Sequence, residues 1–213
     1  MGRFFNPENF LWRGFARLAD FMLLSMCFFL CSLPLLTIPA AAIALYDATA
    51  RCVYGDEGHP YGRFFRTFKN ELLRGIGIAV LWALVALVLS VGYQILYQRA
   101  QADISQGIFA TVYYFSLFIP VGIFCWLIPV ESRFVQPFGQ LHKMALYFTF
   151  THLPTTLVIT ALGLITFELC VNIPFLLMLL PGVCAYIQSI FVERVFVKYM
   201  PKEEPPAEEA SEA

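Results

Sequence analysis

The chain has 213 residues, of which 59% are hydrophobic and only 14% are charged, and its formal net charge is −1. Because soluble domains carry about 25% charged residues, this composition excludes an ordinary soluble enzyme or binding domain. Five stretches of 24 to 27 residues contain no Asp, Glu, Lys or Arg: residues 21–46, 75–98, 104–130, 144–167 and 169–192. Apolar stretches of 18 or more residues are typical of transmembrane helices.

These stretches predict an all-α fold, in the form of a polytopic helical bundle embedded in a lipid bilayer. Lipid offers no hydrogen-bond partner to the backbone, so each span must pair its own N–H and C=O groups within a helix. A β-barrel would instead need alternating segments of about ten residues, and residues 76–92 do not alternate. We expect one transmembrane domain over residues 1–200 and a disordered acidic tail over residues 201–213.

The first apolar stretch contains two prolines, Pro34 and Pro39, which interrupt helical hydrogen bonding twice. One interpretation is a single kinked span from Phe21 to Tyr46. The other is a hairpin of two helices, at about residues 17–33 and 38–54, which turns at the prolines.

The distribution of Lys and Arg favours the hairpin, because these residues are retained on the cytoplasmic side of a membrane. With a hairpin, 13 of the 14 cations lie on one side, and only Arg99 lies on the other. A single crossing would divide them ten to four. A re-entrant hairpin that does not fully cross gives the same charge balance. We therefore predict about six membrane-embedded helices, with both termini cytoplasmic.

An amphipathic segment at residues 63–74 follows a turn at residues 55–60. Its apolar residues share one side of a helix: Phe64, Phe65, Phe68, Leu72 and Leu73. Arg63, Arg66 and Lys69 lie mostly on other sides. The pattern predicts an amphipathic helix at the inner membrane surface, and its three cations are candidate contacts for lipid or for a cytoplasmic partner.

Ionisable residues within the apolar stretches are candidates for function, because a charge is costly inside a membrane. Asp47 is the strongest candidate, and Arg51 at i+4 is its candidate ion-pair partner. His152 precedes Pro154 at a helix entrance and is a candidate for proton transfer. Asp20 lies at the expected start of the first helix, where an interfacial position is predicted.

No catalytic, cofactor-binding or metal site is predicted. The chain has no H-E-x-x-H, G-x-S-x-G or phosphate-loop motif, and an enzyme is not expected. The six cysteines form no C-x-x-C pair and are interpreted as small packing residues. No basic patch stands apart from the loops, so nucleic acid is not expected as a partner.

Several short segments carry a family resemblance: Leu11-Trp12-Arg13, Leu18-Ala19-Asp20, residues 31–38 (CSLPLLTI), Ala44-Leu45-Tyr46, the turn 55–58 (GDEG) and residues 64–70 (FFRTFKN). On these segments the chain resembles the YesL family of small bacterial integral membrane proteins, from its N-terminus to about residue 195. The sequence departs from the family at Pro39, where Gly is usual. It departs again at His152-Leu153-Pro154, where Asn-Leu-Pro is more usual.

The resemblance implies a multi-pass protein of the bacterial plasma membrane, in a family of unknown molecular activity. Members are often encoded beside carbohydrate-uptake and polysaccharide-degradation systems, which implies a role near sugar import. One hypothesis is therefore an accessory membrane component whose partner is a sugar ABC transporter or another membrane protein. The alternative is a small stand-alone transporter or channel. An intramembrane enzyme is disfavoured, because reactive groups do not cluster in the sequence.

Overall fold

The computed structural model describes residues 10–54, 59–102, 107–134 and 136–199. Within these ranges the chain forms helices and turns but no β-strand, which confirms the predicted all-α fold. The predicted tail at residues 201–213 lies outside the described residues. The α-helices are α1 (Phe10–Cys31), α2 (Ile38–Ala48), α3 (Pro60–Ala102), α4 (Gly107–Ser116), α5 (Phe118–Arg133), α6 (Phe138–Thr151), α7 (Leu153–Asn172) and α8 (Leu180–Phe196). Shorter helical segments are Leu35–Thr37, Thr49–Tyr54 and Pro174–Met178.

The predicted proline hairpin is present between α1 and α2. α1 ends at Cys31, and Pro34 takes an extended conformation with φ −75° and ψ 112° before the chain turns into α2. The Thr37 hydroxyl donates a hydrogen bond to Cys31 O at 2.5 Å, which ties the turn to the end of α1. Pro39 lies in the first turn of α2. Backbone N–H groups there have no acceptor within the helix, so proline removes no helical hydrogen bond. The chain therefore adopts the hairpin and not a single kinked span.

α2 lies at the centre of the bundle, although it is only 11 residues long. Nine of its residues are buried, and it packs against α1, α3, α5 and α8. Its alanines let neighbouring backbones come close. A Cβ atom added to Gly75 of α3 would lie 2.6 Å from Ala40 Cβ of α2. This crossing therefore requires glycine on α3.

α3 runs without a break for 43 residues, which corresponds to about 65 Å at 1.5 Å per residue. The predicted amphipathic segment, residues 63–74, is the first part of this helix and not a separate surface helix. The segment contains no proline, so helical hydrogen bonding continues from it into the apolar part. Its apolar residues are divided between two environments, since Phe64 is fully buried whereas Phe65 and Leu73 are exposed.

α4 and α5 form one interrupted span beside α3. The interruption is at Leu117, and Pro120 explains it, because proline has no N–H to donate to the carbonyl oxygen of Ser116. The span runs antiparallel to α3, as three pairs of contacting residues demonstrate: Arg74 with Glu131, Trp82 with Phe124, and Tyr93 with Tyr114.

The apolar stretch at residues 144–167 does not form a single span, because the structure divides it between α6 and α7. The break is at His152, and Pro154 accounts for it. Proline is tolerated in the first turn of a helix, but in the interior it removes a backbone hydrogen bond. α6 begins beside α3, where the Arg74 guanidinium donates to Gln136 O. It ends beside the last residues of α8, where His152 contacts Tyr199.

Trp126 of α5 joins α5, α6 and α7 in the main hydrophobic core. Its side chain is fully buried and stacks on Phe148 of α6, with ring centroids 5.2 Å apart. Its Nε1–H donates a hydrogen bond of 2.8 Å to Thr156 Oγ1 of α7. The Thr156 hydroxyl in turn lies 3.1 Å from Thr149 O, so the polar groups at this helix junction are paired inside an apolar core.

Among the described residues, three segments are long and apolar enough to cross a membrane: Pro60–Gln101, Gly107–Arg133 and Leu153–Asn172. These segments correspond to α3, to α4 with α5, and to α7, and no more than 17% of the most apolar part of each is buried. Such surfaces need hydrocarbon around them, which indicates an integral membrane protein. α2 and α8 have 11 and 17 residues, fewer than the roughly 20 of a typical span. The count of six membrane-embedded helices therefore stays a prediction.

Candidate functional site

The ion pairs of the described residues gather at one end of the bundle. The antiparallel packing of α3 against α2 and against α4–α5 brings the C-terminal ends of α2 and α5 to the N-terminal part of α3, and α8 ends beside them. We refer to this region as the charged end, and its paired residues are Asp47, Arg51, Arg63, Glu71, Arg74, Glu131, Arg133 and Glu193. α6 lies across the same end, because it begins beside α3 and finishes beside α8.

Asp47 is buried at the end of α2, with 4% of its side chain exposed, and two arginines surround it. Arg51 Nε lies 3.1 Å from Asp47 Oδ1. Arg63 of α3 donates from Nε to Oδ2 at 2.8 Å and from Nη2 to Oδ1 at 3.3 Å. The Thr67 hydroxyl adds a fourth contact, at 2.8 Å from Oδ2. The carboxylate is therefore stabilised by charge and by hydrogen bonds in a buried position.

Local helix geometry and the hairpin together place these four side chains. Arg51 lies four residues after Asp47, so the two share one face of the helical segment. Arg63 and Thr67 are also four residues apart and face α2 from the start of α3. The candidate pair of Asp47 and Arg51 is thus formed in the structure, but Thr67 was not predicted from the sequence. The four-residue spacing between Arg63 and Thr67, which places both on one face of the helix, is the sequence feature that could have identified Thr67.

The three cations predicted to share a surface have different environments. Arg63 turns inward to Asp47, and 22% of its side chain is exposed. Arg66 and Lys69 are exposed, and neither has an ion pair among the described residues. A contact with lipid or with a partner can therefore involve Arg66 and Lys69, whereas Arg63 belongs to the interior of the charged end.

A second charged cluster connects α5, α8 and α2. Arg133 of α5 donates from Nε to Glu193 Oε1 of α8 at 2.7 Å, and its Nη2 lies 2.7 Å from the same oxygen. The Tyr46 hydroxyl of α2 donates to this oxygen at 3.3 Å. Both charged side chains are 13% exposed, so the pair is largely removed from solvent. It fixes the ends of three helices relative to one another.

His152 does not lie near Asp47 in the fold. It occupies the junction of α6 and α7, where its Nε2 lies 3.0 Å from Tyr199 Oη. Its carbonyl oxygen accepts a hydrogen bond of 2.9 Å from the Thr156 N–H, which caps the start of α7. These contacts support a role in holding the helix junction. The structure does not bring His152 together with Asp47 and Arg51 in one site.

A cavity of about 390 Å³ lies among α1, α2, α5, α7 and α8. Its polar lining residues are Tyr46, Cys125, Thr166, Cys184 and Gln188. None of the residues that line it is Asp, Glu, Lys, Arg or His. The cavity therefore suits an apolar or weakly polar occupant, and Tyr46 connects its lining to Glu193 of the charged end.

Comparison with known proteins identifies one similarity. The family model "Protein of unknown function, DUF624" matches residues 9–93. No curated protein and no solved structure matches the chain. The match is consistent with the resemblance to the YesL family inferred from the sequence, and it assigns no activity.

The matched residues include α1, the proline hairpin, α2 and most of α3. They therefore include all four members of the Asp47 cluster, whereas α4 to α8 lie outside the match. The protein is a membrane protein that is helical throughout its described part, and its residues 9–93 are similar to a family of unknown function.

Proposed function

We propose that this protein is an accessory membrane component of a carbohydrate-uptake system and that it docks its partner through Arg66 and Lys69. The observation that carries the proposal is that these two cations are exposed. The arginines before and after them on α3 are instead paired with carboxylates: Arg63 with Asp47, and Arg74 with Glu131. They are three residues apart on α3, so they lie on the same side of the helix. Exposed Phe65 and Leu73 flank them with apolar surface.

The proposal includes a topology of six membrane-embedded helices in a bacterial plasma membrane, with both termini in the cytoplasm. The positive-inside rule supports it, because the charged end also carries the exposed cations Lys143, Arg194 and Lys198. Reporter fusions at residues 1 and 213 test this arrangement. Both reporters are expected to be cytoplasmic, and reporters on opposite sides of the membrane would contradict an even number of crossings.

Charge reversal tests the docking face. The double variant Arg66→Glu/Lys69→Glu is expected to reach the membrane in wild-type amounts, because neither side chain supports the fold. It should lose a co-expressed carbohydrate ABC transporter during purification in mild detergent, since opposite charges across the interface become like charges. The matched control is Lys143→Glu/Lys198→Glu, which changes the charge equally at the same end but on other helices.

The outcome separates a protein partner from a lipid contact. If the control retains the transporter and the Arg66/Lys69 variant loses it, the docking face is supported. If both variants retain it, the two cations serve only as contacts to anionic lipid, where each contributes about 1 kcal/mol. If the wild-type protein does not bind the transporter, the accessory role is wrong.

The cavity of about 390 Å³ favours a second candidate function, a stand-alone transporter or channel. Because its lining carries no charged residue, the solute would be apolar or uncharged. Purified protein in liposomes tests this candidate directly. Flux of an uncharged, weakly polar solute through the protein alone would favour transport over the accessory role.

A further inference from the structure

A third charged cluster joins α3 to α5 beneath the start of α6. Arg74 Nη1 lies 2.6 Å from Glu131 Oε1 and 3.9 Å from Glu71 Oε2. The Glu131 side chain has no solvent exposure, and that of Glu71 is 22% exposed. The Arg74 guanidinium also donates to Gln136 O. One arginine therefore faces two carboxyl groups, and part of its hydrogen-bonding capacity is used by a carbonyl oxygen.

Three carboxyl oxygens of this cluster have no hydrogen-bond donor among the described residues. They are Glu71 Oε2 and both oxygens of Glu131, all of which are buried. The contact of Glu131 Oε1 with Arg74 is an ion pair. Both carboxyl groups face the same guanidinium, since Arg74 Nη1 lies within 4 Å of an oxygen of each. Ionised carboxylates can only accept hydrogen bonds, so a hydrogen bond between them requires a proton on one of them. Two adjacent carboxylates in a buried site also repel each other when both are charged.

We propose that Glu71 and Glu131 hold one proton between them, so that this cluster is a proton-binding site which joins α3 to α5. The bound proton supplies the missing donor and makes the cluster neutral, with one carboxylate balancing Arg74. A bound metal cation is a poorer fit, because the guanidinium is already within 2.6 Å of Glu131 and only two carboxyl groups are present.

The ion-paired groups nearest to the site are engaged elsewhere. On α5, Arg133 is paired with Glu193. On α2, Asp47 is paired with Arg51 and Arg63. On α6, Lys143 is exposed and His142 Nδ1 lies 3.0 Å from Phe138 O, while His142 Nε2 is buried without a hydrogen-bond partner among the described residues. On α7, Glu168 is exposed.

The proposal fixes the direction of a pH effect on stability. Glutamates of the unfolded chain titrate at about pH 4.3, and the proposal places one proton on the native cluster at neutral pH. The native state then binds more protons than the unfolded state, and stability falls as the pH rises through the range where the shared proton is lost.

Infrared spectroscopy of the purified full-length protein in mild detergent tests the site directly. At neutral pH the wild type is expected to show the C=O band of a protonated carboxyl. Glu131→Gln and Glu71→Gln should each lose this band, because the remaining carboxylate ionises beside Arg74. Glu168→Gln is the matched control, since Glu168 is exposed on α7, and it should keep the band.

Thermal melting across neutral to alkaline pH provides a second measurement. The melting temperature of the wild type should fall as pH rises, while that of Glu131→Gln should not, because its amide donates a hydrogen at every pH. A purely structural ion pair predicts instead that Glu131→Gln is less stable than the wild type at every pH. That result, or the absence of the carboxyl band in the wild type, would overturn the proposal. Stabilisation by added Na⁺ without the band would assign the site to a cation.

Discussion

α2 is largely buried inside the bundle, whereas the outer part of α3 is largely exposed on its surface. The outer part of α3, residues 80–102, belongs to a long and strongly apolar span, yet most of its side chains are exposed, including Val88 at 67%. α2 is short, rich in alanine and contains a charged residue, yet nine of its residues are buried. In a bilayer, apolar character alone does not drive a helix into the protein core, because the surrounding lipid is equally apolar.

Close packing of small residues and paired charges determine which helix is central. Ala40 and Gly75 allow α2 and α3 to approach closely, and Asp47 holds their ends together through Arg63. The outer part of α3 has no ion pair among the described residues and borders a groove of about 560 Å³ that it forms with α4 and α5. Its close approach, at Gly92, is to the side chain of Tyr113 and not to a neighbouring backbone. The comparison predicts that mutations in α2 and its contacts destabilise the protein much more than mutations on outer α3.

The largest effect is expected for Asp47→Asn, which leaves Arg51 and Arg63 facing each other without a carboxylate. Removal of one partner from a buried charge cluster costs about 3 kcal/mol. The control is Asp20→Asn, because Asp20 is only half-buried and accepts one hydrogen bond, from the Tyr61 hydroxyl at 2.5 Å. Melting of the purified variants in mild detergent is the measurement, and equal melting temperatures for the two variants would remove the special role of Asp47.

The next effect is expected for Gly75→Ala, because its new Cβ would lie 2.6 Å from Ala40 Cβ and 2.7 Å from Ala40 N. Overpacking of this kind costs about 2 kcal/mol. Gly77→Ala is the matched control, two residues along the same helix, where the nearest atom is Phe138 Cε2 at 3.6 Å. The yield of monodisperse protein by size-exclusion chromatography should drop for Gly75→Ala alone. A loss in both variants would point to the helix backbone and not to the crossing.

A smaller effect is expected for Tyr46→Phe, which removes the hydroxyl that donates to Glu193 at 3.3 Å. The loss of one hydrogen bond to a charged group costs about 1 kcal/mol in this partly buried setting. Tyr97→Phe makes the same change on outer α3, where Tyr97 is half exposed, and should melt like the wild type. If both substitutions had the same effect, the connection from α2 to α8 would contribute nothing measurable.

The smallest effect is expected for Leu87→Ala on outer α3, where 61% of the leucine is exposed. Its stability change should stay within about 0.5 kcal/mol, as is usual for an exposed residue. A loss of 2–5 kcal/mol, typical of a buried leucine, would show that this face is covered in the native membrane. Denaturing-detergent titration of both proteins at several protein concentrations provides the measurement.

Several features of the fold and of the charged end could be predicted from local sequence. Long uncharged stretches predict membrane helices because lipid requires backbone groups to pair within the chain. Pro34 and Pro39 predict the hairpin because proline ends one helix and is accepted at the start of the next. The four-residue spacing of Asp47 and Arg51 predicts their ion pair. Each of these inferences depends only on residues within a few positions of one another.

Other features depended on which helices become neighbours. The amphipathic spacing of residues 63–74 could not show that Arg63 faces inward while Arg66 and Lys69 stay exposed, because α2 supplies the carboxylate that selects Arg63. The apolar stretch at residues 144–167 could not show where α6 lies, because packing against α5 and contacts of the residues just before and just after α6 place it.

The helical character of the chain, its suitability for lipid and its breaks at proline are therefore local properties. They follow from backbone hydrogen bonding and side-chain polarity. The central position of the short helix α2 and the arginine that Glu71 and Glu131 share depend instead on contacts between distant residues. Those outcomes require residues 60 positions apart in the chain to meet, and close packing between helices, not hydropathy, determines which of them do.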